Sequence, residues 1–256
     1  MSLTVYRGAL STNTYVWSPF VTKLEARLRF ASVPYKTAAG SVNSAPKGKI
    51  PYIDIADNEG VLDGTRSTSI GDSTLIIKHL VSQEILPDLN ESLAPTDRAS
   101  DLSLRALLED KTSERWTENY YTMRDTVLSF IPYPMRVLVG LLVYRKTLQT
   151  LNGQGTGRYS DEEIQEFRVE AWSAVNEWLV ASKAQQLQNN EERLFWIFGG
   201  QEPSEADAVV FGFVVSGLVC DAGPKMKDVV KSFPVVVEYA TRIHDTYFPD
   251  YERWDE

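Results

Sequence analysis

The sequence predicts an α/β unit followed by a larger all-α unit, and three observations carry that prediction. Strand-like and helix-like segments alternate from Leu3 to Leu80. A stretch with two prolines and several polar residues, Leu86 to Pro95, then reads as a linker. Beyond it, apolar residues recur almost wholly at helical spacing. The expected division is residues 1–87 and 95–256.

Leu3-Thr4-Val5-Tyr6 alternates like a strand, and Gly8 to Tyr15 is a polar loop. A helix is expected from Ser18 to Ala31, with Phe20, Val21, Leu24, Leu28 and Ala31 on one buried face. Ser18 suits an N-cap, because its hydroxyl can accept a bond from an unpaired first-turn amide. Pro19 suits the first helical position, where a missing N–H costs nothing. Tyr35-Lys36-Thr37-Ala38 is a second strand, and strand–helix–strand implies a right-handed crossover with parallel strands. Pro51-Tyr52-Ile53-Asp54-Ile55 is a third strand, and Asp57-Asn58-Glu59-Gly60 reads as a hairpin turn. Another helix starts at Gly71-Asp72-Ser73, with Leu75, Ile76, Ile77 and Leu80 to bury.

Further helices are expected over Thr96 to Met123, Pro134 to Gln149, Asp161 to Gln188, Ser204 to Cys220 and Pro234 to Tyr247. Asn152-Gly153-Gln154-Gly155-Thr156-Gly157 separates two of them. It follows no strand and lacks a Lys-Ser/Thr ending, so it reads as a plain loop rather than a phosphate cradle. Ser204 and Asp207 have capping-box spacing and are assigned to folding.

The totals bound the chemistry. A chain of 256 residues with 43% apolar and 24% charged residues can bury a sizeable core. A formal charge of -9 argues against nucleic acid as a main partner. One cysteine, Cys220, allows no intramolecular disulfide, and with His79 and His244 it leaves little for a His/Cys metal site. The N-terminal stretch is not patterned as a signal peptide, and Pro132, Pro134 and Arg136 interrupt the most apolar later stretch. The expectation is a soluble, cytoplasmic protein with no metal and no membrane span.

Three separated pieces of the first unit can hold a ligand together. The helix start at Ser18 carries free amides and a partial positive charge. In Gly48-Lys49-Ile50-Pro51-Tyr52-Ile53 a proline opens a strand, and a cis Ile50–Pro51 bond would turn the Ile50 N–H and C=O outward to pair with a peptide backbone. The Asp72-Ser73 start offers amides and a hydroxyl to a carboxylate, with Asp72 able to hold an ammonium. Amides, a carboxylate and an ammonium on one ligand describe a small peptide. Taken alone, Ser18 reads as an ordinary N-cap, and only the two other pieces bring a ligand-binding role level with that reading.

The Ser-Pro-Phe-x-x-Lys-Leu-Glu helix start, Gly-Lys-Ile-Pro-Tyr-Ile and Gly-Asp-Ser-Thr-Leu-Ile-Ile together resemble the thioredoxin-like N-terminal domain of cytosolic glutathione S-transferases. Pro203 to Gly212 resembles that family's capping box, and Arg242 to Asp250 resembles its failed-axon-connections/metaxin-like branch, with fungal serine-type transferases close by. The resemblance implies a thioredoxin-like domain plus an all-α domain. It implies glutathione as substrate, with Ile50 beside Pro51 on the cysteinyl backbone and Asp72 and Ser73 on the γ-glutamyl end. Ser18 stands where relatives have a catalytic Ser or Cys, and Val21 removes the second thiol of a Cys-Pro-Phe-Cys pattern. The chemistry left is activation of the glutathione thiol, by Ser18 or by a hydroxyl of the Thr12 to Tyr15 loop.

Tyr15, Trp17, Tyr120, Tyr121 and Met123 either line an acceptor pocket for small hydrophobic or aromatic molecules or form core between the two units. The resemblance further implies a homodimer. The competing reading is a non-catalytic binding protein of the same fold. A metaxin-like membrane adaptor is disfavoured by the polar ending Glu252-Arg253-Trp254-Asp255-Glu256.

Overall fold

Strand β1 (Ser2–Tyr6) turns Leu3 and Val5 into the core and leaves Ser2, Thr4 and Tyr6 half-buried, as period-2 geometry requires. The computed structural model describes residues 2–8, 12–56, 67–111, 119–129, 131–188 and 195–255. Helix α1 (Pro19–Phe30) carries the chain across to β2 (Lys36–Ala38), which pairs parallel with β1. Strand β3 (Tyr52–Ala56) then pairs antiparallel with β1, and β4 (Ser67–Gly71) antiparallel with β3, giving the order β2-β1-β3-β4. Helix α2 (Ser73–Ser82) closes this unit. Leu3, Val5, Leu24, Leu28, Ile53 and Ile76 form the centre of its core.

The parallel β1/β2 pair and the α1 crossover agree with the sequence. The proposed turn at Asp57 to Gly60 lies outside the described residues. Leu75 departs from expectation: it is 42% exposed, while Ile76, Ile77 and Leu80 are buried.

Seven further helices follow among the described residues: α3 (Pro95–Lys111), α4 (Tyr120–Val127), α5 (Tyr133–Gln154), α6 (Asp161–Gln188), α7 (Glu205–Val219), α8 (Pro224–Lys231) and α9 (Pro234–Tyr247). The single helix expected from Thr96 to Met123 is therefore two, α3 and α4, and residues 112–118 between them are not described. Helix α8 was not anticipated. The glycine cluster ends α5 with Gly155 in the left-handed conformation (φ 94°), followed by a 3-10 turn, Thr156–Arg158.

Helix α7 is the axis of the second core. Apolar residues surround it, and from Glu205 to Leu218 all of it is buried. Its start is the expected capping box, with Ser204 N donating to Asp207 Oδ2 at 2.7 Å. The other oxygen, Oδ1, accepts from Ile197 N (2.9 Å) and Tyr239 Oη (2.7 Å). Burial nevertheless pushes the Asp207 carboxyl above its ordinary range. No single described helix is long and apolar enough to cross a membrane.

Helix α1 joins the two cores. Its apolar face packs on the sheet, yet Lys23, Glu25 and Arg27 are also buried, at 1%, 0% and 0% exposure. The face that amphipathicity assigns to solvent is covered by the second unit, and each of these charges meets a partner. Lys23 Nζ contacts Glu109 Oε1 of α3 at 2.6 Å, and Arg27 Nε contacts Glu205 Oε1 of α7 at 2.7 Å. Glu25 Oε1 lies 3.1 Å from Arg7 Nε and accepts from Tyr251 Oη at 3.1 Å. Burying such groups is tolerated only with partners of opposite charge.

Candidate functional site

Ser18 sits at the N-cap of α1 with an extended backbone (φ −78°, ψ 115°). Its carbonyl accepts from Val21 N (3.2 Å) and Thr22 N (3.4 Å), so the helix starts where expected, though not with the hydroxyl cap expected of Ser18. The side chain does not cap: its hydroxyl makes no bond to the first-turn amides. No acidic residue stands in that turn to offset the helix dipole. A half-buried hydroxyl and an uncompensated positive end therefore share one place.

Helix α7 holds the residues on both sides of Ser18. The Ser216 hydroxyl, wholly buried, donates to the Trp17 carbonyl. One turn earlier, a Cβ at Gly212 would lie 2.6 Å from the Pro19 carbonyl oxygen and 2.9 Å from Lys23 N. Only glycine lets the two helix backbones approach this closely.

The Ile50–Pro51 peptide is cis. Pro51 is buried and Ile50 half-buried, the latter lying against Gly8. The Pro51 carbonyl accepts from Asp72 N at 3.3 Å, which joins the proline segment to the start of α2. Asp72 has positive φ (82°), and its Oδ1 accepts from Thr74 N (3.1 Å) and Leu75 N (3.2 Å). One carboxylate oxygen is thus committed to capping, which leaves only Oδ2 for the ammonium that the sequence suggests for Asp72. Ser73, the first residue of α2, is 5% exposed. Lys23 Nζ donates to Thr74 Oγ1 at 2.8 Å and so ties the first turns of α1 to those of α2.

The proposed pocket residues separate into two groups. Tyr15 does not face an open pocket. It is buried, its hydroxyl pairs with His244 Nδ1 at 2.8 Å, and its ring lies among Phe211, Phe248, Tyr251 and Trp254. Burial pushes its phenol far above the ordinary range, and its hydroxyl is engaged by His244. Trp17 and Met123 do come together, in a small cluster with Cys220 and Ala222 beside the Ser18 turn. Tyr120 lies on the same helix as Met123 and packs edge-on to Tyr121 and Tyr144. A groove of about 610 Å³ lies elsewhere, along Gln165, Glu166, Val169, Glu170, Ser173 and Glu177 of α6.

Sequence reasoning missed Lys23, Gly212 and Ser216 as parts of this arrangement. A lysine between Val21 and Leu24, and a glycine and a serine inside the apolar run of α7, were the available signals. Among the described residues, no group of three or more His, Cys, Asp or Glu side chains is placed to hold a metal ion.

Residues 19–127 match the family model described as the glutathione S-transferase N-terminal domain. The chain is 31% identical over 177 residues to isoprene-epoxide–glutathione S-transferase of Rhodococcus sp. (strain AD45), spanning 63% of this chain and 69% of that one. The chain belongs to the glutathione S-transferase family. Its architecture is that of the family, a thioredoxin-like domain followed by an all-α domain. Glutathione transferase GSTFuA3 from Phanerochaete chrysosporium has the same fold, with a TM-score of 0.58 at 13% identity, covering 100% of this chain and 99% of that one. FzlA from C. crescentus is similar in fold too, with a TM-score of 0.53 at 15% identity over 99% and 94% of the two chains.

Proposed function

We propose that this glutathione S-transferase is of the serine type and activates the glutathione thiol for attack on a small hydrophobic electrophile. The observation that carries the reading is the Ser18 hydroxyl, which the helix cap leaves unused at the positive end of α1. In this reading Ile50 pairs with the cysteinyl backbone, Ser73 takes the γ-glutamyl carboxylate, and the Oδ2 of Asp72, the oxygen that does not cap the helix, takes the ammonium. The thiol then points at Ser18.

A free thiol titrates near 8.5, and a helix N-terminus lowers that value. Each unit is worth about 1.4 kcal/mol in favour of the anion. The thiol proton leaves to solvent, Ser18 donates a hydrogen bond to the sulfur anion, and the anion attacks carbon. With an epoxide, the class in the name of the Rhodococcus relative, a C–S bond forms as a C–O bond breaks and the alkoxide takes up a proton. Trp17 and Met123 supply the apolar wall against which the electrophile rests.

The test is calorimetry with glutathione at millimolar concentration, followed by turnover assays on a small epoxide with the native chain and Ser18→Ala. Binding plus turnover that falls in Ser18→Ala is the expected result. Absence of binding overturns the reading, and binding without turnover on any electrophile marks a non-catalytic glutathione-binding protein instead.

A further inference from the structure

Lys23 stands one helical turn and a little more beyond Ser18, about 7.5 Å along α1. Its side chain is 2% exposed, and its ammonium ends between two other helices. Thr74 Oγ1, in the first turn of α2, accepts from it at 2.8 Å, and Glu109 Oε1 of α3 at 2.6 Å. A buried ammonium is tolerated only with such partners, and two of them in set directions leave it little freedom.

Both ends of this connection are themselves fixed. A Cβ at Gly212 of α7 would lie 2.9 Å from Lys23 N and 3.2 Å from its Cα, so the backbone at Lys23 is pressed onto α7. Thr74 N donates to Asp72 Oδ1 at 3.1 Å, which ties the threonine to the start of α2. A line of contacts therefore runs from α7 through Lys23 and Thr74 to Asp72. Helix α2 otherwise packs on α1, β3 and β4, through apolar residues such as Ile76, Ile77 and Leu80. Apolar packing is non-directional, whereas a hydrogen bond from a charged donor sets distance and direction together.

We propose that Lys23 is a positioning residue for glutathione. It sets the separation between the Ser18 turn, where the thiol is activated, and the Asp72–Ser73 start, where the γ-glutamyl end is held. The inference rests on the function proposed above and assigns Lys23 no contact with the ligand. A ligand held at two ends binds well only when both sites match its length, and an error of about 1 Å in such a fit is costly to the reaction. Glu109 holds the ammonium from the side of α3, so the second unit helps to shape a site built on the first.

The test compares the native chain with Lys23→Met, Thr74→Val and the two combined. Calorimetry gives the affinity for glutathione. Turnover of a small epoxide is measured with glutathione and with cysteinylglycine, a thiol that lacks the γ-glutamyl residue. Each single variant is expected to weaken glutathione binding about tenfold, the worth of a hydrogen bond to a charged group. The combined variant should bind no more weakly than Lys23→Met, because both changes remove one interaction. The preference for glutathione over cysteinylglycine, as a ratio of kcat/KM values, should fall as well, whereas a simple loss of folded protein lowers both thiols alike. Thr74→Val keeps the pair between Lys23 and Glu109, and so carries the test should Lys23→Met not fold. Unchanged glutathione affinity in the folded variants, with only the melting temperature lowered, overturns the inference and leaves the proposed function standing. A native chain that binds no glutathione overturns both.

Discussion

The Ser216 hydroxyl of α7 donates to the carbonyl of Trp17, the residue before Ser18. Together with Gly212 against Pro19, it makes the second unit the platform on which the start of α1 rests. Ser216→Ala removes one buried hydrogen bond and leaves the Trp17 carbonyl unpaired by that donor, a loss of about 1–3 kcal/mol. We expect folding to survive and glutathione turnover to fall more than glutathione affinity, measured as kcat and KM on the same preparation. Equal effects on both would mean that Ser216 supports the fold alone.

Gly212→Ala is expected to do more damage. Its Cβ would meet two backbone atoms at 2.6 and 2.9 Å, and backbone cannot move aside as a flexible side chain can. Overpacking of this kind costs about 1–3 kcal/mol. Urea denaturation should show a lower midpoint with the slope unchanged. Gly217→Ala is the milder comparison, since its nearest neighbour is a Val230 methyl at 3.1 Å.

Arg27 offers a sharper stability test. Its guanidinium pairs with Glu205 and also donates to the Pro87 carbonyl, so it fastens α1, the linker and α7 at one point. Arg27→Ala strands a buried carboxylate whose pKa burial already raises, and about 3–5 kcal/mol of stability should be lost. Arg27→Met combined with Glu205→Leu should recover much of it, because the uncompensated charge is gone. A double variant as unstable as Arg27→Ala would refute that explanation.

Glu25 should give the fold a pH dependence. Burial raises its carboxyl from 4.5 to about 7, outweighing the opposing pull of Arg7, the Tyr251 hydrogen bond and Arg29, with Asp250 adding slightly to the rise. The folded chain therefore holds a proton that the unfolded chain has released between those values. Stability from this group is full below pH 4.5 and is lost as pH rises through 7, by of order 3 kcal/mol across the window. Denaturation at a series of pH values should show the decline, and Glu25→Gln should flatten it. An unchanged slope in Glu25→Gln would assign the dependence to another group.

Local patterns made several elements of both units readable. Period-2 alternation marked β1, an opening proline marked β3, a serine–proline pair marked α1, and the helix from Asp161 to Gln188 starts on an acidic first turn. The pairing of Pro51 with Asp72 was legible as two suggestive turns, though not as the single 3.3 Å bond that joins them. What stayed hidden depends on contacts distant in sequence. Nothing near Tyr15 announces that His244 will claim its hydroxyl. Lys23, Glu25 and Arg27 look like a solvated stripe until helices from the second unit are laid over them. Asp72 also shows that one side chain can look like a ligand group and be half spent on its own helix.

The most direct test of the account is the titration of glutathione's thiol while bound, followed through thiolate absorbance in the native chain and in Ser18→Ala. The account predicts a native midpoint at least about one unit below the free thiol, moving back toward the free value when the Ser18 hydroxyl is removed. Bound glutathione that titrates like the free thiol, or identically in the two chains, would contradict it.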